Sequence, residues 1–183
     1  MNKLQLNSDG WLSGVQWMPS PNYNERPQDT KVNLLVIHCI SLAEGEYDNT
    51  HVEALFLNKL DITLDKRFVG LENLTVSSHF YIKRAGDIIQ FVSTEKRAWH
   101  AGVSCYKGRE NCNDFSIGIE LQGTDKTHFK DAQYQSLSRL TDAIRRKYPD
   151  IENNITGHSE IAPQRKTDPG VGFDWQRFLA SLK

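Results

Sequence analysis

The run Leu34, Leu35, Val36, Ile37 constrains this chain most: four consecutive apolar residues between polar flanks read as a strand buried on both faces. Such a strand needs cover on two sides, which a layered α/β domain supplies. His38 closes the run and is held rigidly by it. A second strand is written in FSIGIEL, where Phe115, Ile117, Ile119 and Leu121 alternate with Ser116, Gly118, Glu120 and Gln122, the period of a half-buried strand. Glu120 is therefore expected on the side away from the apolar face, towards a cleft or solvent.

The remaining pattern completes an α/β (α+β) layout without repeats. Val52, Leu55, Phe56 and Leu60 fall at helical spacing behind Asp48, Asn49 and Thr50, which can cap, and a variable loop follows around Asp61 to Glu72. Ser78, Phe80 and Ile82, then Ile88 to Val92, flank Arg84 to Asp87 and predict a hairpin. Tyr134, Leu137, Leu140, Ile144 and Tyr148 form the stripe of the main helix, stopped by Pro149. Trp175, Phe178, Leu179 and Leu182 predict a closing helix, docked on the core and capped by Asp174. At 183 residues and 38% hydrophobic the chain suits one buried core, so residues 1–183 are expected to form a single domain, with 1–30 an N-terminal extension packed on it.

Chemistry concentrates in TGHSEIAPQRKTDPG, Thr156 to Gly170, a Pro-containing stretch that reads as a loop and holds His158, Lys166 and Asp168. Imidazole and carboxylate are ordinary zinc ligands, and a lysine two residues before the carboxylate can supply positive charge where an oxyanion forms. With His38 added, His158 and Asp168 make three protein ligands and leave a fourth tetrahedral position for water, the pattern of a catalytic zinc site. The residues alone leave His79 and His100 open as alternatives to His38, and both can line the cleft. His51, at a helix start, and His128 suit solvated or capping roles. In RAWHAG, the indole of Trp99 beside the small Ala101 suits a sugar face, and Arg109 can pair with a peptide carboxylate.

Composition excludes other classes. A net charge of -1 argues against a nucleic-acid surface. Three cysteines, Cys39, Cys105 and Cys112, lack CxxC spacing, so neither a disulfide framework nor a cysteine zinc site is expected and a reducing compartment fits. MNKLQLNSDGWLSG contains no apolar signal region, and no run approaches the ~18 apolar residues that cross a bilayer. A cytoplasmic protein without membrane association or an obligatory protein partner is expected.

The segments GWLSGVQWMPSPNYNERP, LLVIHCISL, VSSHFYIKRAGDIIQFV, RAWHAGVSCYKGRE, CNDFSIGIELQGTD, TGHSEIAPQRKTDPG and FDWQRF, in this order over nearly the whole chain, resemble the type-2 N-acetylmuramoyl-L-alanine amidases, relatives of T7-type lysozymes and peptidoglycan recognition proteins. The likeness is greatest to the branch acting on 1,6-anhydro-muramyl peptides. It implies a central mixed sheet flanked by helices, one Zn2+ on His38, His158 and Asp168, and Glu120 and Lys166 as catalytic pair. Glu120 would act as base and then acid, and Lys166 would stabilise the oxyanion. The implied reaction is hydrolysis of the amide between the lactyl group of (1,6-anhydro)-N-acetylmuramic acid and L-alanine, in cytoplasmic recycling of muropeptides, with an indirect effect on β-lactamase induction. Cys39 stands where relatives carry Asn, and Thr75 where they can carry Arg, which bears on substrate contacts. Two alternatives stand beside it: a wall-lytic amidase acting on polymer, which the missing export signal opposes, and a non-catalytic recogniser, which retention of all five residues opposes.

Overall fold

A computed structural model describes residues 3–182. The apolar runs become strands of a six-stranded sheet: β1 (Gln16–Trp17), β2 (Leu34–Ile40), β3 (Phe80–Ile82), β4 (Ile88–Gln90), β5 (Ser116–Gln122) and β6 (Ile155–Gly157). Their spatial order is β1-β4-β3-β5-β2-β6. β3 and β4 form the expected antiparallel hairpin, while the other four neighbouring pairs are parallel, so the sheet is mixed. Parallel neighbours need crossovers, and the chain provides them with α1 (His51–Phe56) and α2 (Asp131–Lys147) among its connections. α3 (His158–Ile161) follows β6 directly, and α4 (Trp175–Ala180) ends the fold.

The two faces of the sheet are covered differently. Leu35, Ile37, Phe80, Ile82, Ile117, Ile119 and Leu121 point to one side, where Tyr134, Leu137, Leu140 and Ile144 of α2 and Phe178 of α4 close the main core. Leu6 and Leu12 belong to this core, and β1 is part of the sheet, so the N-terminal residues are built into the domain. The opposite side carries two smaller clusters. One groups Val52, Leu55 and Phe56 of α1 with Tyr81 and Ile89, and the other groups Leu34 and Val36 with Ala101, Phe115 and Ile161. Register sets Tyr81, Glu120 and His38 in one row across β3, β5 and β2 on that side.

Several expectations need correction. Every residue of β5 is buried, because the strand is central and its polar side is roofed by other segments rather than by water. His38 lies inside β2, which continues to Ile40. Thr156 to Gly170 is no simple loop: it begins in β6 and turns through α3. α1 stops at Phe56, short of Leu60, and the segment after it holds two single 3-10 turns, Ile62–Leu64 and Lys66–Phe68. In α4, Asp174 caps as expected by accepting from the Arg177 N–H at 2.9 Å, but Leu179 is 48% exposed while Phe178 is buried. Six residues of helix turn only a narrow face to the core.

Candidate metal centre and active site

Pairing of β6 with β2 places Thr156 beside Val36 and Gly157 beside Ile37, so the next residue, His158, emerges next to His38. The chain then folds back, closed by the Ser159 N–H donating to the Asp168 carbonyl at 2.9 Å, and this return delivers Asp168. Gly157 permits the close approach, since a Cβ there would stand 2.8 Å from Cδ of Pro169.

The three side chains meet in a tight triangle. His38 Nδ1 lies 3.0 Å from His158 Nδ1 and 3.0 Å from Asp168 Oδ2, and the last two are 3.1 Å apart. Among the described residues these are the ones whose candidate ligand atoms gather within 4.8 Å of one another. The far ring nitrogens are occupied: His38 Nε2 is 2.9 Å from His100 Nδ1, and His158 Nε2 is 3.0 Å from the Ala101 carbonyl oxygen. A carbonyl only accepts, so His158 carries a proton on Nε2, which leaves Nδ1 as the nitrogen that can bind a metal. Burial pushes the His38 pKa down to about 4, with hydrogen bonding to Asp168 offsetting only part of this. Asp168 stays below the usual carboxylate range: burial opposes its charge, but the neighbouring His158 and His38 outweigh it. Two imidazoles and a carboxylate at this spacing suit a divalent cation, because tetrahedral zinc holds N and O ligands at ~2.0–2.2 Å and thus about 3.3 Å from each other.

Register puts Glu120 on the strand next to His38 and on the same side. Its Oε2 is buried without a hydrogen-bond partner. Burial first, and the charge of Asp168 second, raise its pKa well above the usual carboxylate value, while Lys166 pulls the other way. Lys166 is half-buried, its N–H donating to the Ala162 carbonyl at 3.0 Å. With Cys39, Thr124 and Asp168 it lines an open cleft of about 440 Å³.

The other expected contacts are spread more widely. His79 has no exposed surface: its Nδ1 accepts from the Gly118 N–H at 3.0 Å and its Nε2 lies 3.0 Å from the Lys96 carbonyl oxygen. His100 is buried between His38 and Ser116, and the Ala101 side chain is in the core, so neither presents a wall to the cleft. This corrects the expectation that the Ala101 side chain lies open beside Trp99; the useful atom of Ala101 is its carbonyl oxygen. Trp99 is half-buried and donates from Nε1 to Asn24 Oδ1 at 2.8 Å. Arg109 is exposed on a short hairpin, with its guanidinium 3.8 Å from the Phe115 ring centre. Thr75 is exposed.

Sequence reasoning missed Arg26, Asn113 and Ser116. Arg26 is a nearly buried guanidinium donating to the carbonyls of Asn113, Asp114, Thr94 and Ser116 at 2.7–3.2 Å, which pins the N-terminal segment behind the site. Burial lowers its pKa to about 10. The available signal for Ser116 was its place on the polar register of Gly118 and Glu120.

Residues 28–171 match the family model described as N-acetylmuramoyl-L-alanine amidase. The chain is 53% identical over 175 residues to the 1,6-anhydro-N-acetylmuramyl-L-alanine amidase AmpD of Citrobacter freundii, covering 96% of this chain and 94% of that protein. A crystal structure of a selenomethionine AmpD derivative superposes with a TM-score of 0.95 at 52% identity, over 98% of this chain and all (100%) of that one. The Escherichia coli amidase AmiD, in complex with anhydro-N-acetylmuramic acid-L-Ala-D-gamma-Glu-L-Lys, gives a TM-score of 0.61 at 28% identity, over 98% of this chain and 65% of that chain.

Proposed function

Because the chain belongs to the N-acetylmuramoyl-L-alanine amidase family and is an amide hydrolase, we propose that it is a zinc-dependent enzyme cleaving the lactyl–L-alanine amide of 1,6-anhydro-muramyl peptides. The observation that carries this reading is the unpartnered, buried Glu120 Oε2 on the strand beside the His38, His158, Asp168 triangle. One Zn2+ held by those three side chains would supply Lewis acidity for the amide carbonyl and for water. Glu120 takes the proton from the attacking water. Its raised pKa lets it hold that proton and pass it to the departing amine of L-alanine, which is a poor leaving group without it. Lys166, on the cleft that Asp168 also lines, presents an ammonium to the developing oxyanion.

The relatives' substrate supports the anhydro sugar as ligand, and Trp99 is the proposed sugar contact, with Arg109 and Cys39 towards the peptide. No helix among the described residues is long and apolar enough to cross a membrane. The proposed setting is the cytoplasm, where imported wall fragments are recycled and where their removal lowers the signal for β-lactamase induction.

The test is mass spectrometry of products from anhydro-muramyl peptide, its reducing-end counterpart and intact sacculi, with metal analysis of the same preparation. Roughly one zinc per chain is expected. A transition-state preference of a few kcal/mol for the anhydro sugar gives a kcat/KM ratio of hundreds or more. Equal rates on both soluble substrates with rapid release from sacculi would instead identify a wall-lytic enzyme.

A further inference from the structure

Both histidines of the triangle are held from behind by adjacent residues of one segment. His100 Nδ1 faces His38 Nε2 at 2.9 Å, and the carbonyl oxygen of Ala101 faces His158 Nε2 at 3.0 Å. Asn113 fixes that dipeptide, its Oδ1 accepting from the N–H of His100 at 3.1 Å and of Ala101 at 2.8 Å. The His100 ring is anchored at its other end, with Nε2 3.1 Å from Ser116 Oγ, whose hydroxyl is committed to the Cys112 carbonyl at 2.6 Å. Because that hydroxyl spends its proton on the carbonyl, it accepts from His100, so His100 carries its proton on Nε2 and offers a lone pair from Nδ1. Space for the ring comes from Gly118, where a Cβ would lie 2.5 Å from His100 Cγ.

We infer that His100–Ala101, clamped by Asn113, is the platform that orients both ligand histidines, with His100 the positioning residue that keeps the proton of His38 on Nε2 and its Nδ1 free for the metal. The hydrogen-bond directions run one way, from His38 through His100 and Ser116 to the Cys112 carbonyl, and an acceptor at the end of the chain fixes every tautomer before it. Residues that orient a metal-bound imidazole typically account for about 10- to 100-fold in metal affinity. The inference rests on the zinc reading above.

Two measurements separate its failure from failure of that reading. Long-range 1H–15N correlation spectra of the metal-free wild-type protein report the His38 tautomer without any metal; protonation on Nε2 is expected, and protonation on Nδ1 overturns the inference whatever the metal result. Zinc affinity is then measured by chelator competition for wild type, His100→Leu and His100→Asn, with far-UV circular dichroism confirming the fold. His100→Leu should weaken zinc binding about 10- to 100-fold. His100→Asn, whose amide oxygen can stand near the Nδ1 position, should recover most of it. Wild-type affinity in His100→Leu overturns the inference, as does an equal loss in both variants. A wild-type protein that binds no zinc removes the metal reading and this inference with it.

Discussion

The two faces of one sheet do different work with the same strands. Under α2, Ile37 and Ile119 join a continuous apolar core. On the other side, one residue along each strand, stand His38 and Glu120. The apolar side gains from burial alone, whereas each polar group on the other side has lost water and needs a specific partner. His79 and His100 have partners at their ring nitrogens, and Glu120 Oε2 has none. An unsatisfied carboxylate oxygen in this buried polar layer, which it shares with the unpartnered Tyr81 hydroxyl, is what stability disfavours and proton transfer requires.

Mutation should separate the faces. Replacing Glu120 by Gln removes the proton acceptor, and kcat on muramyl peptide should fall about 100- to 10,000-fold while thermal stability holds or rises. Near-normal turnover would take Glu120 out of the chemistry. Leu137→Ala, on the apolar side, should cost about 2–5 kcal/mol of unfolding free energy in denaturant titration, with activity per folded molecule retained. If it abolished activity in folded protein, the faces would not be independent.

Acid should act through the polar face. In the metal-free protein burial holds the pKa of His38 at about 4 and of His79 at about 3, and His100 is lowered in the same direction. The unfolded chain binds those protons near pH 6.5, so their stabilisation is complete above that value and is lost as the pH falls towards 4. Glu120 has the opposite sign: its folded pKa is raised, so its contribution is complete below the ordinary value of 4.5 and declines as pH rises. Three histidines against one carboxylate leave a net uptake of protons on unfolding. Stability should therefore drop between pH 6.5 and 4.5, by about 1.4 kcal/mol per pH unit for each net proton, and Glu120→Gln should steepen the fall. A flat profile in urea titrations at stepped pH would mean these histidines are not held neutral. The smallest effect belongs to α4, where Leu179→Ser should change stability by no more than about 0.5 kcal/mol because the side chain faces solvent. A loss comparable to that of a core residue would restore Leu179 to the docked stripe first expected.

The sequence by itself determined the buried strand at Leu34, the hairpin around Arg84 to Asp87, the long helix and its stop at Pro149, because each is a local pattern of burial or turn chemistry. It also singled out the residue types that gather at the site. Only the tertiary structure decided which histidines meet. His38 and His158 are far apart in the chain and are joined by parallel register, a relation that no periodicity encodes. The same holds for β5: alternation predicted a polar side towards a cleft or solvent, yet every residue of the strand is buried, and Gly118 lies under the His100 ring. Burial of a polar face depends on what other parts of the chain lay over it, and that is a property of the packed molecule.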